Sequence, residues 1–263
     1  MDSKLTEQEA RDKNMDEYNK TADAYDRWCQ ENILMQKYCY YSTFQEMEKE
    51  GIEGKTFLEV GCGPCPIGQI LAKKGAKKIF GLDISSEMIE SAKKNLTEMG
   101  IIDKFELVVA DIFDQSFQLP EKVDCVVLSY TLTTFINNYE MLASILSQCK
   151  KCVKDDGYMF IADFCYVNMQ DHDFWAGMYT KPKGDAPPLE FEPFEFYIDK
   201  APESSFDIFH IPNYLMFKAG YEAGFRKIEQ QPQYCDPAVK DDKIVRRYLD
   251  TCNPCDYLMK FRF

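Results

Sequence analysis

No apolar run in this chain approaches the roughly 20 residues that a helix needs to cross a bilayer, which excludes a helical membrane span from the reading. Basic charge is in deficit. Thirty-one Lys and Arg stand against 44 Asp and Glu, a formal net charge of −13 and an isoelectric point near 4.7. Nucleic-acid partners normally require a basic face to neutralise phosphates, and anionic membranes repel an acidic surface. No nucleic-acid partner and no membrane association are therefore expected. Histidine is nearly absent, with only His172 and His210 available as imidazole bases. The opening MDSKLTEQEARDKNMDEYNK has neither the apolar stretch of a secretory signal nor the arginines of a transit peptide, so a cytoplasmic protein is expected. Its eleven cysteines are then expected as reduced thiols, and their odd number rules out complete internal pairing.

What is present suits a packed enzyme. Apolar residues make up 45% and aromatics 14% of 263 residues, enough for one large α/β domain with a lid. Residues 1–14 read as a frayed start. From Asp16 to about Glu50 the pattern is helical, and Tyr18, Ala22 and Tyr25 share one face at i, i+4 and i+7. Short apolar runs then alternate with helical ones. Strands are expected at 56–60, 78–82, 105–109, 123–129 and 157–163, and helices at 67–74, 86–99 and 139–153. That alternation predicts a doubly wound, mostly parallel sheet. Residues 165–206 break it with five prolines and many aromatics, and a segment this long inside a domain is usually functional. A helix at 211–223 and two closing strands, 225–230 and 256–263, complete a seven-stranded sheet. The expected organisation is a helical cap (1–50) and a main domain (51–263) carrying the 165–206 insertion as a substrate lid.

The sharpest string is Phe57-Leu58-Glu59-Val60-Gly61-Cys62-Gly63-Pro64-Cys65-Pro66-Ile67-Gly68, a strand, a glycine turn and a helix start. Glycines let backbone approach a ligand, and a helix start offers free N–H groups. Asp83 ends the second strand 22 residues after Gly61, where a nucleotide-binding sheet places a carboxylate for ribose hydroxyls. Asp111 follows the third strand at the same edge.

With LEVGCGPCPIG, GLDIS and VVADIF in this order and spacing, the chain resembles the class I S-adenosylmethionine-dependent methyltransferases over about residues 16–163. HIPNYLMFKAGYEAGFRKIE is similar to the C-terminal segment of small-molecule members, including toxoflavin-synthase-like ones. The resemblance implies a Rossmann-like fold, S-adenosyl-L-methionine as cofactor and no metal. It implies that Glu59 supports the methionine amino end, and that Gly61, Cys62 and Gly63 contact the cofactor by backbone. Asp83, followed by Ile84, takes the ribose hydroxyls. Asp111 takes the adenine amino group, and Ile112 offers its N–H to the ring. Ser129 and Tyr130 lie where the amino-acid end meets the acceptor. One departure bears on affinity: Cys65 stands where the family turn has its third glycine.

The same residues admit rival readings. Cys62-Gly63-Pro64-Cys65 also spells a thioredoxin redox pair, but Glu59-Val60-Gly61 precedes it and Asp83 and Asp111 suit a nucleoside. With Cys252 and Cys255 the pair makes four cysteines of zinc-site type, yet about 190 residues separate the two halves. A Rossmann dehydrogenase wants a third glycine where Pro66 stands. His210 is a candidate general base beside the plainer reading of a hydrogen-bonded structural histidine, and Tyr130 a candidate catalytic neighbour. Tyr18, Tyr25, Trp28, Phe164 and Trp175 are candidate acceptor contacts, with Tyr166, Phe174 and Tyr197 as further aromatic walls. The function expected is methyl transfer to N or O of a small-molecule acceptor. The alternatives are a protein methyltransferase and a non-catalytic methyltransferase-like binding subunit.

Overall fold

Each short apolar run pairs with its neighbours in one sheet, and each amphipathic run covers a face of it. The computed structural model describes residues 6–32, 35–114, 116–164, 178–183, 188–198, 205–239 and 256–263. The strands of the large sheet are β1 (Thr56–Val60), β2 (Lys78–Asp83), β3 (Phe105–Val109), β4 (Val123–Ser129), β5 (Val153–Phe164), β9 (Lys227–Gln230) and β10 (Asp256–Arg262). Their order is β3-β2-β1-β4-β5-β10-β9. The first five are parallel, and β10 runs antiparallel to both β5 and β9. Helices α3 (Pro66–Lys73), α4 (Ser86–Glu98), α5 (Tyr139–Cys152) and α6 (Asn213–Ala223) flank the sheet. The expected seven-stranded, mostly parallel sheet is the one observed.

Strand alternation divides the core. Phe57, Ile79, Val127 and Phe160 join one cluster with α3 and the N-terminal helices. Leu58, Phe80, Val126 and Ile161, one residue out of phase, join the cluster under α5 and α6. Burial on both faces explains why β1 and β4 read as continuous apolar runs. Caps fix the helix starts: Met88 N–H donates to the Ser85 hydroxyl at 3.1 Å, and Met141 N–H to Asn138 at 2.9 Å.

Two expectations need correcting. The N-terminus is not frayed to residue 14, because α1 runs Glu7–Glu31 and starts on a reciprocal capping box between Thr6 and Glu9. A one-turn-plus π-helical segment, Met35–Cys39, leads into α2 (Tyr40–Glu50). The spelling Thr6-x-x-Glu9 was a legible start signal. The insertion also holds regular structure, a three-stranded antiparallel sheet of β6 (Met178–Pro182), β7 (Pro193–Ile198) and β8 (Ser205–Phe209). Alternation in β7, with Phe194 and Phe196 both buried, was its sequence signal. Residues 165–177, 184–187 and 199–204 of the insertion, including Tyr166, His172, Phe174 and Trp175, lie outside the described residues, as do Cys252 and Cys255.

Helix α6 meets the sheet through Gly220, where a Cβ would stand 2.5 Å from Ile228 Cδ1 and 2.7 Å from Phe261 Cε1. In an exposed helix, alanine in place of glycine gains about 1 kcal/mol. Here overpacking reverses the sign, so Gly220→Ala should lose about 1–3 kcal/mol in urea unfolding. An unchanged or raised midpoint would show that α6 does not press on β9 and β10.

Candidate cofactor and acceptor site

At the C-terminal ends of the parallel strands, where doubly wound sheets bind ligands, two buried carboxylates hold the glycine turn. Glu59, on β1, accepts from Gly68 N–H at 2.8 Å and from the Cys65 thiol at 3.0 Å. Burial pushes its pKa up to about 7, although these hydrogen bonds oppose the rise. Asp83, at the end of β2, accepts from Gly63 N–H at 2.8 Å and Ser85 N–H at 2.9 Å. Its pKa is raised as well, by burial.

The turn is conformationally demanding. Gly61 and Gly63 have φ of 62° and 49°. A Cβ on Gly61 would lie 2.3 Å from Thr131 Cγ2, so the close approach requires glycine. Cys65 also sits left-handed, at φ 62°. It therefore adopts the backbone that the missing third glycine would supply, at a cost of roughly 1–2 kcal/mol. Its buried sulfur faces Gly68, where a Cβ would come within 2.6 Å. The departure leaves the turn intact, and the sulfur is accommodated beneath it.

The redox reading of this pair finds no support. Cys65, hydrogen-bonded to Cys62, buried and beside Glu59, is held well above the usual thiol range, and thiols rather than thiolates are poor nucleophiles. Among the described residues no group of His, Cys, Asp and Glu is arranged to hold a metal ion.

A cavity opens beside the turn. Its wall brings together Glu59, Gly61, Cys62, Gly63, Asp83, Ile84, Asp111, Ile112, Ser129 and Tyr130, along with Tyr18 and Tyr25 of α1. The Ser129 hydroxyl is buried in this wall with no hydrogen-bond partner among the described residues, as expected of a group whose partner is a ligand. The glycine cradle, the orphaned hydroxyl and the carboxylates of Asp83 and Asp111 in one wall fit the polar groups of S-adenosylmethionine.

A second, much smaller space adjoins the first. Tyr18, Tyr25, Tyr130 and Thr134 line both, while Trp28, Met35, Phe164, Phe196 and Ile208 line only the second. Tyr130 has a φ of 56°, an unusual backbone for an aromatic residue and one that clusters at functional sites. Its ring stands 4.8 Å from that of Phe164 and 6.0 Å from that of Tyr40.

His210 lines neither cavity. Its backbone pairs with Glu192 and Phe191 at the end of the small sheet, and burial lowers its pKa. The structure thus does not bring it to the cofactor turn. Two residues escaped the sequence reading because they fall in the stretch taken as frayed. Arg11 reaches Asp111, with Nε 3.2 Å from Oδ2, and its guanidinium lies over the Phe113 ring at 5.1 Å. Asn14 donates to Thr134 O at 3.2 Å. Both line the cofactor cavity.

A doubly wound sheet with a carboxylate-pinned glycine turn and ordered acids after β2 and β3 defines a nucleoside-binding α/β protein. Comparison with known proteins makes the class definite. Residues 52–186, just over half the chain, match the family model described as methyltransferase domain. The chain belongs to that family, in its class I, S-adenosylmethionine-dependent form. The chain is 29% identical over 119 residues to a ubiquinone biosynthesis O-methyltransferase of Actinobacillus pleuropneumoniae, covering 44% of this chain and 49% of that one. It is 35% identical over 151 residues to the ribosomal protein arginine N-methyltransferase rmt3 of Schizosaccharomyces pombe, covering 53% and 27%. It thus spans half or less of these curated relatives. Among solved structures, an S-adenosylmethionine-dependent methyltransferase from Clostridium acetobutylicum shares the fold at a TM-score of 0.61 and 14% identity, covering 94% of this chain and 98% of that one. DesVI of Streptomyces venezuelae does so at 0.61 and 15%, covering 92% and 97%.

Two predictions follow from the turn. Cys65→Gly should keep cofactor affinity within a few-fold in calorimetry, whereas β-branched Cys65→Val, which disfavours positive φ, should lose at least ten-fold. Equal loss in both would mean that the sulfur rather than the backbone matters. For Glu59, the folded pKa lies above the ordinary 4.5. Its stabilising contribution is complete below that value and is lost as pH rises towards 7. Glu59→Gln should therefore flatten the fall in unfolding free energy between pH 5 and 8, by up to about 3 kcal/mol. A decline equal to the parent's would contradict the burial assigned to this carboxylate.

Proposed function

We propose that this chain transfers the methyl group of S-adenosylmethionine to a nucleophilic atom of a small molecule held in the aromatic chamber. The observation that carries this reading is the shared wall: Tyr18, Tyr25, Tyr130 and Thr134 line both cavities, so a group in the chamber faces one in the cofactor cavity. The cofactor supplies an electrophilic methyl group on a cationic sulfur. The protein's own residues position the reactants and exclude water. Asp83 orients the ribose while its other bonds hold Gly63 in place. Asp111 and Ile112 receive the adenine edge. Tyr130, fixed by its backbone, sets the boundary between the two reactants.

Helix α1 roofs the site. Asn19 accepts from the Ser85 hydroxyl at 2.7 Å, and Lys13 pairs with Asp207 of the small sheet at 3.2 Å. That sheet and α1 together act as the acceptor lid. The relatives' names include both a small-molecule and a protein methyltransferase. The roof that α1 forms over the chamber favours the small molecule, because a polypeptide segment needs an open groove.

Calorimetry with S-adenosylmethionine tests the reading. The parent should bind in the micromolar range, and Asp83→Ala should bind about ten- to a hundred-fold more weakly, the worth of hydrogen bonds to a charged group. Equal affinity in the variant would remove Asp83 from the ribose site. No binding by the parent would leave the chain a non-catalytic binding subunit.

A further inference from the structure

The chamber next to the cofactor cavity has a distinctive composition. Six rings enclose it, those of Tyr18, Tyr25, Trp28, Tyr130, Phe164 and Phe196. They touch in series: Tyr18 and Tyr25 at 5.5 Å, Tyr25 and Trp28 at 5.6 Å, Tyr130 and Phe164 at 4.8 Å, Phe164 and Phe196 at 5.1 Å. Ring faces carry negative potential and attract cations. No Lys, Arg or His is among the described residues that line the chamber. The cation lining the cofactor cavity, Arg11, is committed to Asp111 at the adenine end. Two carboxylates add to the negative field felt at Tyr18, Asp83 and Asp163. Asp163 is fully buried and accepts from Leu132 N–H, Thr133 N–H, the Thr133 hydroxyl and Phe164 N–H. Among the described residues an anionic acceptor finds no cationic partner here.

Among the described residues that line it, the chamber has no base. The titratable groups among them are tyrosines, and burial pushes the phenols of Tyr18 and Tyr25 well above their usual range. They stay protonated and take no proton from a hydroxyl. Backbone, thiol and hydroxyl donors already reach Glu59 Oε2 and both oxygens of Asp83 and of Asp163. An alcohol or phenol must shed a proton as it attacks, whereas an uncharged amine attacks through a lone pair already free. One donor remains unspent. Trp28 is 7% exposed, and its Nε1–H is buried without a partner among the described residues. A buried orphan donor calls for a ligand lone pair.

We infer that the chamber takes a small, largely apolar amine as methyl acceptor, with an oxygen or nitrogen lone pair placed against Trp28 Nε1–H, and that its ring faces hold the ammonium that forms. This rests on the chamber being the acceptor site. The nitrogen lone pair forms the new N–CH3 bond, and the S–CH3 bond breaks with its electron pair returning to sulfur. The positive charge passes from sulfur to nitrogen, leaving a neutral thioether. A primary or secondary amine then gives its surplus proton to solvent, so no further reactant is needed. The charge is conserved across the step, and the chamber is built to keep a cation.

The test uses the full chain carrying Trp175→Phe, which leaves Trp28 as the single tryptophan. With S-adenosylhomocysteine bound and monitored by calorimetry, phenyltrimethylammonium, its uncharged isostere tert-butylbenzene, and benzoate are titrated against Trp28 fluorescence. The cation should bind at least ten-fold more tightly than either. Phe164→Leu and Phe196→Leu should each lower that preference while leaving S-adenosylhomocysteine affinity within about two-fold. Labelled methyl should pass to the amine of matched aniline and phenol acceptors at least ten-fold faster. If S-adenosylhomocysteine binds but the cation shows no preference over its isostere, or phenols are methylated as fast, the amine assignment is overturned. If S-adenosylhomocysteine does not bind, the underlying reading of the cofactor site fails instead.

Discussion

Two buried carboxylates and the backbone N–H groups they receive hold the site together. Glu59 ties the turn to the start of α3 through Gly68, and Asp83 ties it to β2 through Gly63. Among the described residues neither carboxylate has a basic partner, so each relies on backbone N–H groups, with the Cys65 thiol added at Glu59, for compensation, and burial raises both pKa values. The turn cannot relax without leaving a carboxylate unsatisfied. This is why three residues with positive φ in five positions, one of them the non-glycine Cys65, persist there.

The same economy governs the second cavity. Helix α1 covers the strand ends using polar contacts at its edges, Asp26 accepting from Ser91 and Asn95, and rings at its centre. The roof is therefore wet outside and dry inside. Methyl transfer from a cationic sulfur needs a dry, oriented encounter more than it needs proton chemistry. Among the described residues that line it the chamber has no base and no cation, which is consistent with that need, and His210 is not one of those residues.

Much of this was legible in the chain. The strands of the large sheet announced themselves because parallel strands buried on both faces are continuously apolar. The cofactor turn did so because its positive-φ positions favour glycine and its N–H groups are received by carboxylates. Less legible was α1. Its polar first turns look like solvent-exposed chain, and only the capping box Thr6-x-x-Glu9 marks them as helix. Arg11 gains its role from Asp111, 100 residues away, a separation that no local pattern encodes. The three strands of the insertion were hidden by prolines and irregular spacing, although Phe194 and Phe196 alternate.

The sequence by itself determined the sheet, the nucleoside turn and the order of Glu59, Asp83 and Asp111, since each depends on local backbone demands or on periodicity. Tertiary structure alone decided that Cys65 takes a glycine's backbone without disturbing the turn, and that His210 stands apart. It also decided that rings from α1, the β4 turn, β5 and β7 close around one chamber. Those outcomes depend on which distant side chains share a volume, and packing rather than spacing settles that.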